Sequence, residues 1–344
     1  MTAVTVSGSV TVDGVTYPVS TTFDLTTAGG GLKPRLAGLV DRQGVPPVSH
    51  RTAVRCVVIT DNWSAIEPTP GVYDWSRLDA QIAAAKAAGS EGVHLRIYGG
   101  VQAPQWLITR EGGVTLTDGQ DGRIYTTLRW WTPGAASAAT ALDAAAAARY
   151  DPDPYVRGTF LWPRGSEFSC EVTIRQAGSL VNRSAYIDAG YSDVQDALDT
   201  MAWAGAQAAR WPRTHLLCWI SSARQRIKPD KTSTLDMAWS QTYGQFLQST
   251  IPGVVIGVNN ADAGTYGSQL YTIVDGLGSR RGDQTATRAK MGATTAEQTV
   301  ALRKTITDAI GARVEWLELP SGYHLLLSAT EMAAMDAAMR ANGS

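Results

Sequence analysis

The stretch VRCVVITDNWSAIEPTPGVYDWSRLDAQIAAAKAAG, Val54 to Gly89, runs from an apolar segment through a Pro- and Gly-punctuated turn into an Ala-rich segment. Val54 to Thr60 is almost continuously apolar and short, as a strand buried on both faces must be. Pro68 and Pro70 each disfavour helix at the residue before them, Gly71 supplies a turn, and Asp74 is placed to cap a helix that begins near Trp75. Trp75 to Ala88 is rich in strong helix formers. A buried strand, a loop and a helix in that order make one βα unit, the building block of a parallel sheet.

The same alternation extends outward in both directions. Further strands are predicted at Leu36 to Val40, Val93 to Tyr98, Val156 to Leu161, Leu216 to Ile220, Val254 to Val258 and Val314 to Leu319, with a weak one near Gln284 to Thr287. Helices are predicted at Asp193 to Trp211, Leu235 to Thr250, Ser268 to Leu277, Thr295 to Ile310 and Ala329 to Ala341, and the run AASAATALDAAAAARY is a strong helix former entered through Trp130-Trp131-Thr132-Pro133. Eight strands with intervening helices predict an α/β fold, a (β/α)8 TIM barrel over residues 32–344. A doubly wound sheet is the alternative, but no GxGxxG follows the first strand and no Walker A motif is present.

Before the barrel, residues 1–25 alternate apolar and polar positions around Asp13-Gly14, a strong hairpin signal. Two strands alone are marginal in water, so this hairpin must pack on the barrel or on another protein. Thr26 to Gly31 reads as a Gly-rich joint, which makes residues 1–31 a separate N-terminal module.

Thirty Lys plus Arg against thirty-one Asp plus Glu leave a net charge of −1, which gives no reason to expect a nucleic acid or an anionic membrane as partner. Cys56, Cys170 and Cys218 have no metal-ligand spacing and read as buried free thiols. Four dispersed histidines form no HExxH motif, so neither a metal nor another cofactor is expected. No apolar run reaches the length of a membrane span, and the start lacks the pattern of a secretory signal, which predicts synthesis in the cytoplasm. Eleven tryptophans against four phenylalanines is an unusual ratio, which suits either stacking on sugar rings or packing in the core.

The opening stretch, read as W..hEP..G.YDW..LD, resembles the second βα unit of β-galactosidase-like (β/α)8 glycoside hydrolases. GVHLRIYGGVQAPQWL, Gly92 to Leu107, is similar to their third, with its Gly-containing segment and its P.WL turn. The resemblance implies hydrolysis of a polysaccharide or glycoconjugate and a structural role for Glu67. Such hydrolysis needs two carboxyl groups, about 5 Å apart for retention and about 6.5–9.5 Å for inversion. GTFLWPRGSEFSCEVTIRQAG, after the fourth strand, offers Glu167 and Glu171; Glu171 is preferred as general acid/base, with Arg175 able to hold a carboxylate or a sugar hydroxyl. In RVEWLELPSGYH, strand parity groups Glu318 with Trp316, separates it from Glu315, and sets it nearer the C-terminal mouth, which makes it the partner carboxylate.

Two departures from the family pattern accompany this reading. In the family the acid/base follows Asn at the end of strand four, whereas no Asn-Glu pair occurs in this chain. The family nucleophile ends strand seven, where GDQTAT offers Asp283 and Gln284. Tyr98, Gln102, Trp106, Trp162, Trp219, Asn259, Gln284, Trp316 and Tyr323 complete the expected substrate-binding set, with Trp130, Trp131 and Asn260 as further mouth candidates. The hairpin and Gly joint also resemble those of actinobacteriophage minor tail proteins, which implies docking onto other tail proteins, a place in the virion tail and a barrel turned to host surface glycans. The alternative to the enzyme is a non-catalytic carbohydrate-binding or structural barrel that has lost its carboxylate pair.

Overall fold

Eight parallel strands close into a barrel in a computed structural model that describes the chain except for residues 1, 13–14, 26–30, 120–121, 162–174, 221–223, 279–280 and 344. In chain order the strands of the structure are β1 Thr2–Val12, β2 Val15–Leu25, β3 Gly38–Asp41, β4 Cys56–Asn62, β5 Gly92–Tyr98, β6 Gly113–Thr117, β7 Ile124–Leu128, β8 Val156–Phe160, β9 His215–Trp219, β10 Arg224–Ile227, β11 Ser233–Asp236, β12 Val255–Gly257, β13 Gly282–Gln284 and β14 Trp316–Leu319. The helices are α1 Trp63–Ile66, α2 Ser76–Ala87, α3 Gln105–Glu111, α4 Pro133–Tyr150, α5 Leu180–Asp188, α6 Asp193–Arg210, α7 Met237–Thr250, α8 Gln269–Gly276, α9 Arg288–Met291, α10 Thr295–Gly311 and α11 Ala329–Arg340. The barrel order is β12-β9-β8-β5-β4-β3-β14-β13, so the strands run around the barrel in sequence order.

The two ends of that order meet at a seam. Gln284 N–H donates to Val258 O at 2.9 Å, Ala261 N–H to Gln284 O at 2.8 Å, and the Asp283 carboxylate accepts the Val258 N–H at 2.8 Å in place of a backbone carbonyl. Gly257 is required here, because a Cβ would lie 2.0 Å from Gly282 O. Each barrel strand expected from the sequence is present. The seventh begins two residues earlier than predicted, because Gly282 and Asp283 are poor strand formers held there by the seam and by the Trp316 indole.

Val40, Cys56, Val58, Phe160, Leu217, Trp219, Val255 and Trp316 fill the barrel interior, while larger apolar layers lie between strands and helices. Buried polar groups tie the layers together: Asp143 on α4 accepts from Trp211 Nε1 at 2.9 Å and pairs with Arg210 at the end of α6. Thr132 caps α4, with Pro133 in its first turn, as its sequence implied. Cys56 and Cys218 are buried free thiols, and burial pushes Cys56 up to about 12; Cys170 lies outside the described residues.

At the N-terminal end of the barrel, Lys33 is buried and donates to Val156 O at 2.8 Å and Thr214 Oγ1 at 2.7 Å. The barrel segment of the chain therefore begins opposite the C-terminal mouth. The hairpin itself pairs Thr2 with Leu25 through Val12 with Val15 and lies along α6 and α7, so it packs on the barrel.

The loops after β5, β8 and β9 contain structure that the sequence reading did not include. Hairpin β6–β7, the 3-10 turn Arg175–Gly178 with α5, and hairpin β10–β11 meet around Val114, Leu116, Trp130, Tyr186, Tyr191 and Ile227. Arg226 on β10 pairs with Asp193 at 2.7 Å, which locks this satellite to α6.

Candidate functional site

Side chains on a strand alternate between the two sides of the sheet, so each barrel strand delivers every second residue to the interior. Above the apolar interior, toward the C-terminal mouth, those positions become polar: Arg42 after β3, Arg96 and Tyr98 on β5, Gln284 on β13 and Glu318 on β14. Glu318 is 0% exposed, with one oxygen accepting from Arg96 Nη2 at 2.5 Å and the other from Gln284 Nε2 at 2.8 Å. The Arg96 guanidinium lies over the rings of Phe160 and Trp219, 4.1 and 4.6 Å from their centroids. A buried carboxylate is tolerable only when paired and fully hydrogen-bonded, and this arrangement meets both conditions.

Arg42 stands beside this pair, half-buried, and donates to Thr285 O at 2.9 Å. Burial pulls its guanidinium below its ordinary value, while the Glu318 charge opposes that shift. The other described acids at these strand ends face outward. Asp41 accepts from Tyr323 Oη at 2.9 Å, Asp61 meets Arg77 of α2 at 3.3 Å, and Asp283 serves the seam. Burial raises Asp283 to about 7.

The structure thus brings Glu318, Gln284, Trp219 and Tyr98 together. Trp219 forms part of the inner wall, its indole N–H donating to Gly282 O at 3.1 Å. Trp316 lies one layer deeper, edge-on to His94 at 4.8 Å, and Tyr323 sits behind the wall with Asp41. Gln102 is half-buried in the 3-10 turn that follows β5. Trp106 donates to Glu67 O at 3.0 Å under the Arg110 guanidinium. Asn259 is buried, with Nδ2 unpartnered.

Glu315 pairs with Arg35 at the far end of the barrel, and Trp130 is packed in the satellite with its indole bonded to Asp196 at 3.0 Å. Arg175 opens the 3-10 turn of the satellite. Glu171, Glu167 and Trp162 lie outside the described residues.

Glu67 is a loop anchor. One oxygen accepts from Trp63 Nε1 at 2.7 Å and the other from Gly71 N–H at 2.8 Å, which fixes the turn between β4 and α2. Asp74 accepts the Ser76 N–H at 2.9 Å at the start of α2. The sequence reading missed Arg96 and Arg42. A charge at an inward position of the apolar run GVHLRIY was the available signal for Arg96. Gln284 occupies the inward position that ends strand seven, where the family resemblance implies a nucleophile, and Glu318 stands on strand eight.

The family model for glycoside hydrolase 42, described as beta-galactosidase, matches residues 50–212, a little under half of the chain. Among solved structures, the chain is similar to the catalytic domain of beta-amylase from Paenibacillus polymyxa, at 12% identity over 88% of this chain and 98% of that one, with a TM-score of 0.54. It is also similar to an endogalactoceramidase, at 16% identity over 92% and 72% of the two chains, with a TM-score of 0.52. These likenesses are of fold. No curated protein sequence matches the chain. The match and the architecture together describe a glycoside hydrolase-like (β/α)8 barrel.

Proposed function

We propose that this barrel cleaves glycosidic bonds of a glycan at its C-terminal mouth. Glu318 is the nucleophile or base, and Glu171 is the acid that protonates the leaving oxygen. The observation that carries the reading is the inward carboxylate of Glu318, held in place at the mouth by Arg96 and Gln284. A carboxylate held by a guanidinium and an amide N–H is fixed in orientation, as a nucleophile or base requires. The family match supports glycan chemistry over the half of the barrel that contains residues 162–174.

The test is release of reducing sugar from a glycan panel. The unmodified protein is expected to release sugar, and Glu318→Gln and Glu171→Gln each to lower the rate by at least about a thousandfold while binding persists. Two observations favour a second reading, a glycan-binding barrel without turnover: Gln284 stands where the family has its nucleophile, and Glu318 has no exposed surface. Binding without release by the unmodified protein would establish that reading instead.

For the hairpin we propose attachment to a larger assembly such as a phage tail, with the mouth facing a host glycan. Lys33 fixes the start of the barrel segment at the end away from the mouth, which suits that orientation. A variant lacking residues 1–31 would then keep a cooperative melt and glycan binding but lose incorporation into the assembly. Unchanged incorporation would refute the attachment role.

A further inference from the structure

Charge is unevenly distributed around the mouth. The loops that follow β13, β14 and β3, residues 285–294, 320–328 and 42–53, contain Arg42, Arg51, Arg288 and Lys290 and no Asp or Glu. Over the whole chain the two signs balance, thirty to thirty-one, so this arc is a local segregation. The three loops form one continuous edge. Arg42 bonds Thr285 O at 2.9 Å, His50 Nε2 meets Leu327 O at 3.0 Å, and Gly322 abuts Arg288, whose Nη1 would lie 2.6 Å from a Cβ.

None of the four cations is paired with a carboxylate in the described structure. Arg51 Nε donates to Pro46 O at 3.2 Å, Arg288 Nε donates to Gln298 Oε1 at 2.9 Å, and Lys290 is exposed. Many cations elsewhere on the surface are paired, as in Arg77–Asp61, Arg303–Glu331 and Lys304–Asp308, whereas Arg183 bonds only backbone carbonyls. Inside the mouth, Glu318 bonds Arg96, and its charge also reaches Arg42, with Asp41 a lesser influence on Arg42. A concave site walled by low-dielectric protein focuses such a field outward, and guanidinium groups match planar oxyanions by paired hydrogen bonds.

We propose that the mouth selects an acidic glycan, one whose sugars carry carboxylate, sulfate or phosphate groups, with Arg42 as the inner contact and Arg51, Arg288 and Lys290 as the outer guide. This rests on the glycan reading above and narrows its substrate class. The cations belong to one contiguous set of loops after β13, β14 and β3, and the only Phe, Tyr or Trp in those loops is the buried Tyr323. A single-stranded nucleic acid would instead call for exposed stacking platforms along a basic groove.

The experiment measures binding of the full chain to oligosaccharides bearing uronate, sulfate or phosphate, to neutral counterparts of equal length such as methyl-esterified galacturonate, and to a single-stranded oligonucleotide. At low salt the acidic sugars are expected to bind at least about tenfold more tightly than their neutral counterparts, with the gap shrinking as salt rises. Arg42→Gln and Arg288→Gln should each remove most of that preference, and Arg42→Lys should retain part of it. Arg288 and Lys290 lie on the rim, so loss of preference in their Gln variants with an unchanged melting temperature separates recognition from misfolding. The uronate, sulfate and phosphate arms identify which anion is read. Equal affinity for acidic and neutral sugars overturns the inference and leaves the glycan reading standing. Binding to the oligonucleotide alone, or to no probe, overturns both.

Discussion

Glu318→Ala will lower the unfolding free energy by about 3–5 kcal/mol, the cost of leaving a buried guanidinium without its partner. Arg96 and Glu318 are 2% and 0% exposed, so little water reaches either group to screen the loss. Glu318→Gln retains an acceptor oxygen for Arg96 and should cost about half as much. Arg96→Met alone leaves the buried carboxylate only Gln284 and the Arg42 charge and should be nearly as damaging as Glu318→Ala, whereas Arg96→Met with Glu318→Leu should recover most of the loss. Urea unfolding of the four variants checks this. A cost below about 1 kcal/mol for Glu318→Ala would mean that the pair is solvated, contrary to its burial.

Asp283→Asn will stabilise the protein at pH 8 and leave it nearly unchanged at pH 4. Desolvation is the dominant influence on Asp283, and its carboxyl is raised to about 7. The bond from Val258 N–H, the Tyr266 hydroxyl and the Arg281 charge oppose that rise, and Tyr271 and Asp308 face the same corner from α8 and α10. Tyr266 approaches without closing an aligned hydrogen bond, and Asp283 Oδ2 is left unpartnered.

Because the folded carboxyl holds its proton more tightly than the unfolded one, the folded state binds more protons between about pH 4 and pH 7. Stability contributed by this group therefore falls as pH rises through that window. Asn keeps the acceptor for Val258 N–H and removes the ionisation, so the gain at pH 8 should be on the order of 2–4 kcal/mol. Thermal melts across pH 4 to 8 measure it, and a pH-independent difference between the two proteins would refute the assignment.

The barrel was legible because most of its strands are short apolar runs buried on both faces, and because turn chemistry such as that from Glu67 to Trp75 marks each βα passage. The seventh strand was faint for a physical reason: Gly282 and Asp283 are there for close approach and for a side-chain bond across the seam, neither of which leaves an apolar signature. The hairpin β6–β7 did leave one, with Val114 and Leu116 alternating inward before Gly119 and Gly122, but it lay within a long and otherwise irregular connection.

Parity alone turned Glu318 toward the barrel interior. That its charge is met by Arg96 could not be read from the sequence, since the two residues lie 222 positions apart and meet only when the barrel closes. Burial likewise separates tryptophans that look equivalent in sequence: Trp219 and Trp316 fill the barrel interior, and Trp106 holds a loop through Glu67.

Sugar release by the unmodified full chain, measured beside sugar binding by the same sample, decides whether the barrel is catalytic. Both are expected, with release abolished by Glu318→Gln while binding survives. Binding without release at any pH between about 4 and 8 would contradict a catalytic Glu318 and leave a barrel that recognises glycans without cutting them.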